Sequence, residues 1–262
     1  MIKDTGDQFI EKLYDLLRSD FSIIYDRLYR TAMWNMYCQH PTSKNYLTRY
    51  TLPESLKHEL TSSYAGYETN MVQSMIFNSK TVICTSVELA LSEYDVTIVE
   101  ADNVNFDCID GNFESHDPAR YGATFVRLEL SEVRKKEYPK MCPKTGIIII
   151  STDGSQYHDI EYDKDFVLAH QLAHVVLDYM SCHSEKDREM ISKFSPIELE
   201  VVCDFMVFYN IYKDSTETDP KSEFADFDAS LNGSFAMHDR IEYISISSQI
   251  LLRKNDNILG NI

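Results

Sequence analysis

The chain has 262 residues, 44% of them hydrophobic and 12% aromatic, which is enough apolar material for a sizeable buried core and excludes a disordered tail. Its formal charge of −17 repels phosphate backbones and argues against nucleic acid as a partner. No apolar stretch of the sequence approaches the roughly 18 residues that a membrane span requires.

The six cysteines, Cys38, Cys84, Cys108, Cys142, Cys182 and Cys203, are scattered without a CxxC pair. In a chain of this length that pattern predicts reduced thiols in a cytosolic compartment rather than a disulfide framework. The opening Met1-Ile-Lys-Asp-Thr-Gly-Asp-Gln8 has no apolar segment behind a basic one. No cleaved secretory signal is expected, and a cytoplasmic location is. Delivery into a host cell by a specialised secretion machine would leave no mark of that kind.

In chain order, Phe9, Ile10, Leu13, Leu16, Leu17, Phe21, Ile24 and Leu28 recur at helical spacing. They predict an amphipathic helix over about 5–32, opened by a Thr5/Gln8 capping box and broken near Ser19-Asp20. Residues 33–65 are polar and hold Pro41 and Pro53, so a loop followed by a short helix near 53–62 is expected. The stretch 66–93 reads as helical, although Thr81-Val-Ile-Cys84 fits a strand equally well. Val96–Val99, Thr124–Leu130 and Gly146–Ser151 are β-rich runs set off by Asp, Asn, Gly and Pro. The last of them is either a core strand or an edge that could hold an extended peptide. Between them, Arg134–Lys144 is a basic island that reads as a solvated loop. Helices follow at 164–180 and about 196–213, with Pro196 suited to a first helical turn. A polar loop over 214–232 and a closing helix over about 235–253 complete the chain. Helices, then a small mixed sheet, then helices again give an α+β fold, mainly helical. An N-terminal helical region (1–94) and a second region (95–262) are expected to pack as one unit.

The most informative segment is Phe166–Leu177, where His170 and His174 stand in an otherwise apolar run. Four residues is about one helical turn, so both imidazoles leave one face and can grip one ion. Two unpartnered imidazoles would be costly in such surroundings. Downstream, Glu200 and Asp204 repeat the four-residue spacing 26 residues beyond His174, enough chain to end one helix, turn, and return. A carboxylate from the second helix completes a His₂ pair as a third ligand, and an acid one turn further on can orient a ligating ring. Glu198 is the rival third ligand. Glu200 is preferred because only its i+4 position carries an acid, and Glu198 suits the positive end of the helix dipole. His183 and its neighbour Cys182 miss ligand spacing and read as loop residues. His238, Tyr157, Tyr179 and Tyr243 are candidates to steady a developing oxyanion, and spacing singles out none of them.

The sequence His170-Gln-Leu-Ala-His174-Val-Val-Leu, followed by Glu200-x-x-Cys203-Asp204, resembles the gluzincin zinc metallopeptidases. Their motif is HExxH on one helix and Glu-x-x-x-Asp on the next. Among them it looks most like the bacterial ImmA/IrrE-like peptidases, with the phage-exclusion Lit-type peptidases close behind. Cys203 stands where those families place a small alanine. The likeness covers about 164–212, and Met237-His-Asp-Arg240 is faintly similar to a His/Arg segment of some members. The resemblance implies a zincin-like core and Zn²⁺ held by His170, His174 and Glu200, with Asp204 behind them. It also implies a specific protein as substrate, cleaved in stress response, phage defence or virulence rather than in bulk digestion.

The pattern breaks at Gln171, the place of the family's general base. Glutamine keeps the shape of glutamate but cannot receive a proton, and losing a general base costs about 10²–10⁴-fold in rate. The expectation is normal zinc affinity with greatly weakened hydrolysis. Since the rest of the site is kept, the first reading is a zinc endopeptidase in a substituted, inactive form. A natural pseudo-peptidase that binds without cutting is the alternative.

Overall fold

In a computed structural model, residues 2–38, 47–50, 53–89, 94–108, 122–152 and 164–212 are described. The amphipathic repeat at the start folds as two helices, α1 (Ile2–Arg18) and α2 (Phe21–Met33), with a π-helical turn over Trp34–Cys38. The break falls at Ser19-Asp20, where the Ser19 hydroxyl folds back on the Leu16 carbonyl. Thr5 is not a cap, because α1 starts at Ile2 and already includes it.

The strands β1 (Leu47–Tyr50), β2 (Tyr64–Ala65), β3 (Val82–Leu89), β4 (Tyr94–Ala101), β5 (Ala123–Leu130) and β6 (Lys144–Ser151) form one mixed sheet in the order β1-β3-β4-β6-β5-β2. Only β4 and β6 pair in parallel; the other pairings are antiparallel. Thus β6 is an interior strand bonded on both sides, and the edge-strand reading of Gly146–Ser151 falls. Its Ile147-Ile-Ile-Ile150 run is buried throughout, as a central strand covered on both faces must be. Gly146 is required there. A Cβ at that position would stand 2.2 Å from the Phe125 ring of β5.

Alternation along the strands sends side chains to two cores. Ile148, Ile150, Val96 and Ile98 pack with α1, α2 and the histidine helix. Ile147, Ile149, Val99 and Val126 pack with Leu56 and Leu60 of α3 (Pro53–Ser63) and Val72 and Met75 of α4 (Tyr67–Met75). Fully burying each such side chain contributes roughly 1.5–3 kcal/mol. The architecture is therefore α+β, with helices against both faces of the sheet.

The basic island is not all loop: its first residues, Arg134–Glu137, belong to a short helix, α5 (Glu132–Glu137), whose cap Ser131 accepts from the Arg134 amide. The chain continues through α6 (Lys164–His183), α7 (Glu185–Ile191) and α8 (Pro196–Tyr212). Helix α6 carries the histidine pair. It lies in the first core, with Leu172, Ala173, Val175 and Val176 fully buried. The expected loop at 214–232 and helix at 235–253 lie outside the described residues. Among the described residues no helix is long and apolar enough to cross a membrane.

Candidate metal centre

Helix α6 is apolar nearly all round, so its polar residues stand out. His170 and His174 leave one face with ring centroids 4.9 Å apart and Nε2 atoms 3.1 Å apart. Helix α8 returns alongside and supplies the acids. One Glu200 oxygen lies 3.2 Å from His170 Nε2 and the other 3.3 Å from His174 Nε2. One turn further on, Asp204 Oδ1 sits 2.7 Å from His170 Nδ1. His170, Glu200 and Asp204 are each 4% exposed, while His174 is only partly buried, so the cluster meets solvent on the His174 side.

These spacings suit a small cation. Ligands held tetrahedrally at about 2.0–2.1 Å from a metal stand about 3.3–3.4 Å from one another, close to the three separations here. The donor chemistry agrees. With the His170 Nδ1 proton given to Asp204, its Nε2 presents a lone pair toward Glu200 and His174, and such crowded acceptors need a cation or shared protons between them. Two carboxylates with two neutral imidazoles carry a charge of −2, which one divalent ion neutralises.

Without a metal, protons take over that part. Burial alone would push His170 toward its neutral form, but the Asp204 and Glu200 carboxylates outweigh it and raise its pKa to about 9. Burial likewise opposes ionisation of Glu200, yet His174 and His170 hold it well below the usual carboxylate range.

Cys203 was not foreseen as a donor. It is fully buried, and its Sγ lies with one nitrogen each of His170 and His174 in a set whose members are all within 4.8 Å of one another. These three residues form a buried cluster that could bind a metal. The signal in the sequence was the Glu200-x-x-Cys203 spacing, which puts a thiol on the ligand face of the same helix.

Glu198 faces away from the histidines: its carboxylate accepts from Lys12 Nζ at 2.8 and 2.9 Å and from the Ser195 amide at 2.7 Å. With the Glu198 amide donating to Ser195 Oγ, this is a reciprocal capping box. Gln171 is 2% exposed, and its Oε1 has no hydrogen-bond partner among the described residues. Tyr179 packs edge-on to Tyr94 and stacks on His183, so both serve as packing at the far end of α6. His238, Tyr157, Tyr243 and the segment Met237–Arg240 lie outside the described residues.

Two further contacts position α6. Tyr25 of α2 donates to the carbonyl of Ala169, beside His170, at 3.2 Å. Asp178, one turn past His174, accepts from Tyr94 of β4 at 2.9 Å and pairs with Arg127 of β5 at 2.9 Å. Burial raises the Asp178 pKa although Arg127 works against it. The spacing of Asp178 from the two histidines marked its helix face, but its partners come from distant strands.

Comparison with protein-family models, curated proteins and solved structures finds no match to this chain.

Proposed function

We propose that this protein is a zinc metallopeptidase scaffold directed at a specific protein substrate and held in a base-deficient form by Gln171. The carrying observation is the convergence of His170 Nε2, His174 Nε2 and the Glu200 carboxylate, with Asp204 behind His170. The zincin-like character of the core belongs to the same reading. It is supported by an HxxxH helix packed antiparallel to a Glu-x-x-x-Asp helix beneath a mixed sheet.

His170, His174 and Glu200 would hold the ion, and Asp204 would fix the His170 tautomer so that Nε2 is free to donate its electron pair. A zinc ion held there would supply Lewis acidity toward water and a carbonyl. Gln171 can orient a polar group through its amide, but it has no carboxylate to receive a proton. The proton-transfer contribution is thus missing while the ligands are intact.

A second reading has its own observation. Cys203 offers a fourth protein donor beside the histidines, and four protein donors close a site as structural zinc sites are closed, whereas catalytic ones keep a position open. On that reading the chain is a non-catalytic pseudo-peptidase, a binding module stiffened by its metal.

Gln171→Glu separates the two. The zinc-loaded full chain carrying that change should cleave a restricted set of proteins in a cell extract, detected by mapping new N-termini, at a rate about 10²–10⁴-fold above the parent. Adding His170→Ala should abolish the gain. No new termini, with one zinc per chain verified by elemental analysis, would favour the closed-site module. Failure to retain any divalent ion would overturn both readings.

A further inference from the structure

On the face of the sheet turned away from the metal centre, α3, α4 and the turn into β3 form an open cleft of about 370 Å³. Clefts from roughly 300 Å³ upward hold small ligands. Met71, Val72, Met75 and Ile76 bury one side of α4 in the second core. That leaves Asn70 and Ser74, one turn apart, on the side that lines the cleft, with Phe77 just beyond the helix end. The wall is pinned from behind. The Asn105 amide donates to the Met75 carbonyl at 2.8 Å and the Ser79 amide to the Ile76 carbonyl at 3.1 Å, while Asn103 Nδ2 donates to the Asn78 carbonyl at 3.1 Å. Asp102 Oδ1 accepts from the amides of Lys80 and Thr81 at 2.7 and 2.8 Å. A turn tied in this way holds its side chains before a ligand arrives, which lowers the ordering cost of binding.

Of the seven described residues that line the cleft, only Phe77 is apolar, Asn70, Gln73, Asn78 and Asn105 are amides, and Lys57 carries the charge. Phe77 is 75% exposed, so its ring is open to a ligand. Asn105 Oδ1 accepts from the Asp107 amide at 3.0 Å, which leaves its NH₂ group as a donor. Ser74 Oγ gives its proton to the Asn70 carbonyl at 3.0 Å and keeps its lone pairs as acceptors. Gln73 is half-buried, and its Nε2, cut off from solvent, has no hydrogen-bond partner among the described residues. A shielded donor left unmade is costly, and an acceptor on a ligand would satisfy it.

This lining selects among ligand classes. A lipid tail would find a single apolar side chain, and a metal ion or amine would meet Lys57 with no carboxylate beside it. A small molecule dense in hydroxyls fits. Each amide offers a donor and an acceptor, the two roles that adjacent hydroxyls present in return. An open aromatic face covers the C–H side of a saturated ring, and an ammonium suits a carboxylate or a phosphate. We propose that the cleft binds an acidic sugar, a pyranose bearing a carboxylate or a phosphate. The ring stacks on Phe77, its hydroxyls bond the amides of Asn70, Gln73 and Asn78, and its charged group meets Lys57. The site lies across the sheet from His170 and His174 and stands independently of the metallopeptidase reading.

The test is saturation-transfer NMR on the full chain, titrated separately with glucuronic acid, a glucose phosphate, glucose and adenosine monophosphate. Transfer to the ring protons of one or both acidic sugars is expected, and the two arms show which anionic group Lys57 takes. Glucose should bind about ten-fold more weakly, the loss of one charge-assisted hydrogen bond. Lys57→Met should bring the acidic sugars down to the level of glucose and leave glucose unchanged. Phe77→Ala should weaken all three sugars about three- to ten-fold. Both side chains are exposed, and an unmoved thermal midpoint verifies that each variant folds. Zinc or EDTA should leave every affinity unchanged. No transfer to any sugar at millimolar concentration overturns the proposal, as does binding that survives both substitutions. Tighter binding of adenosine monophosphate than of either acidic sugar would overturn the ligand class, and glucose binding as well as the acidic sugars would overturn the part given to Lys57.

Discussion

Asp204 meets His170 Nδ1 at 2.7 Å, and that contact decides which nitrogen of the ring is a donor. With Asp204 accepting the Nδ1 proton, Nε2 turns its lone pair toward Glu200 and His174. Remove the carboxylate and the buried ring can rotate, take the other tautomer, or carry its proton on Nε2, where it competes with a metal. Asp204→Ala should therefore weaken zinc binding about 10–100-fold, measured by competition with a chromophoric chelator. An affinity equal to the parent's would show that Asp204 only fills space. Cys203→Ser distinguishes the two site readings in the same assay, because affinity falls only if sulfur is a donor.

At the scale of elements, Glu198 shows why the choice between two neighbouring acids could be made from spacing. Glu198 closes a capping box with Ser195 and ties α8 to α1 through Lys12, while Glu200, two residues on and roughly opposite around the helix, enters the core. Burial tends to raise the Glu198 pKa, but Lys12 and the Ser195 amide hold it below its usual value. A carboxylate depressed in the folded state contributes stability that is fully present above its unfolded pKa of about 4.3 and lost as pH falls through the lower folded value. Glu198→Gln keeps the capping box, which accepts either residue, and removes only the charge. It should thus flatten the decline of the urea midpoint between about pH 5 and pH 3, at a cost of at most about 1 kcal/mol at pH 7, the scale of a partly exposed ion pair. An unchanged acid limb would mean that the Lys12–Glu198 pair is too solvated to matter.

Legibility followed locality. The starts of α6 and α8, the break at Ser19-Asp20 and three of the four eight-residue strands were readable because apolar period, turn residues and caps lie within a few positions of one another. Helix α6 itself runs on past residue 180 through Cys182 and His183, which the sequence reads as loop. Leu47–Tyr50 and Tyr64–Ala65 were not, since short, polar edge strands are fixed by distant partners: Val82–Thr85 for one, Leu130 and Glu129 for the other. The sequence leaves only Thr81–Cys84 open between helix and strand, since a short apolar run suits either, and reads the rest of 66–93 as helical. Strand β3 runs on to Leu89 because its whole length pairs with β4. Helix α7 had a cue in Ser184-Glu-Lys-Asp187, whose serine caps the Asp187 amide. In the site, His170, His174, Glu200 and Asp204 were legible as residue types at one-turn spacing. The Tyr94–Asp178–Arg127 link was not, because strands far away in sequence supply Tyr94 and Arg127.

For the whole molecule, the metal centre and the fold share one core. Leu172, Val176, Val202 and Phe205 flank the ligands and pack in the same cluster as Leu13 and Phe21 from the first two helices and Ile148 from the sheet. Separating the ligands therefore means parting α6 from α8, and with them the centre of the first core. An ion bound only by the folded state stabilises it by RT ln(1 + [L]/Kd), about 2.7 kcal/mol when free metal is a hundred-fold above the dissociation constant. For a chain of this size that is a rise of roughly 5–10 °C in thermal midpoint. Zinc should raise the midpoint by that amount and EDTA reverse it, while His174→Ala, which deletes a donor that is not fully buried, should make the midpoint indifferent to either. Equal midpoints in zinc and in EDTA for the unsubstituted chain would mean that protons alone balance the two buried carboxylates. The raised pKa of His170 would then be the resting state of the protein rather than the imprint of a cation.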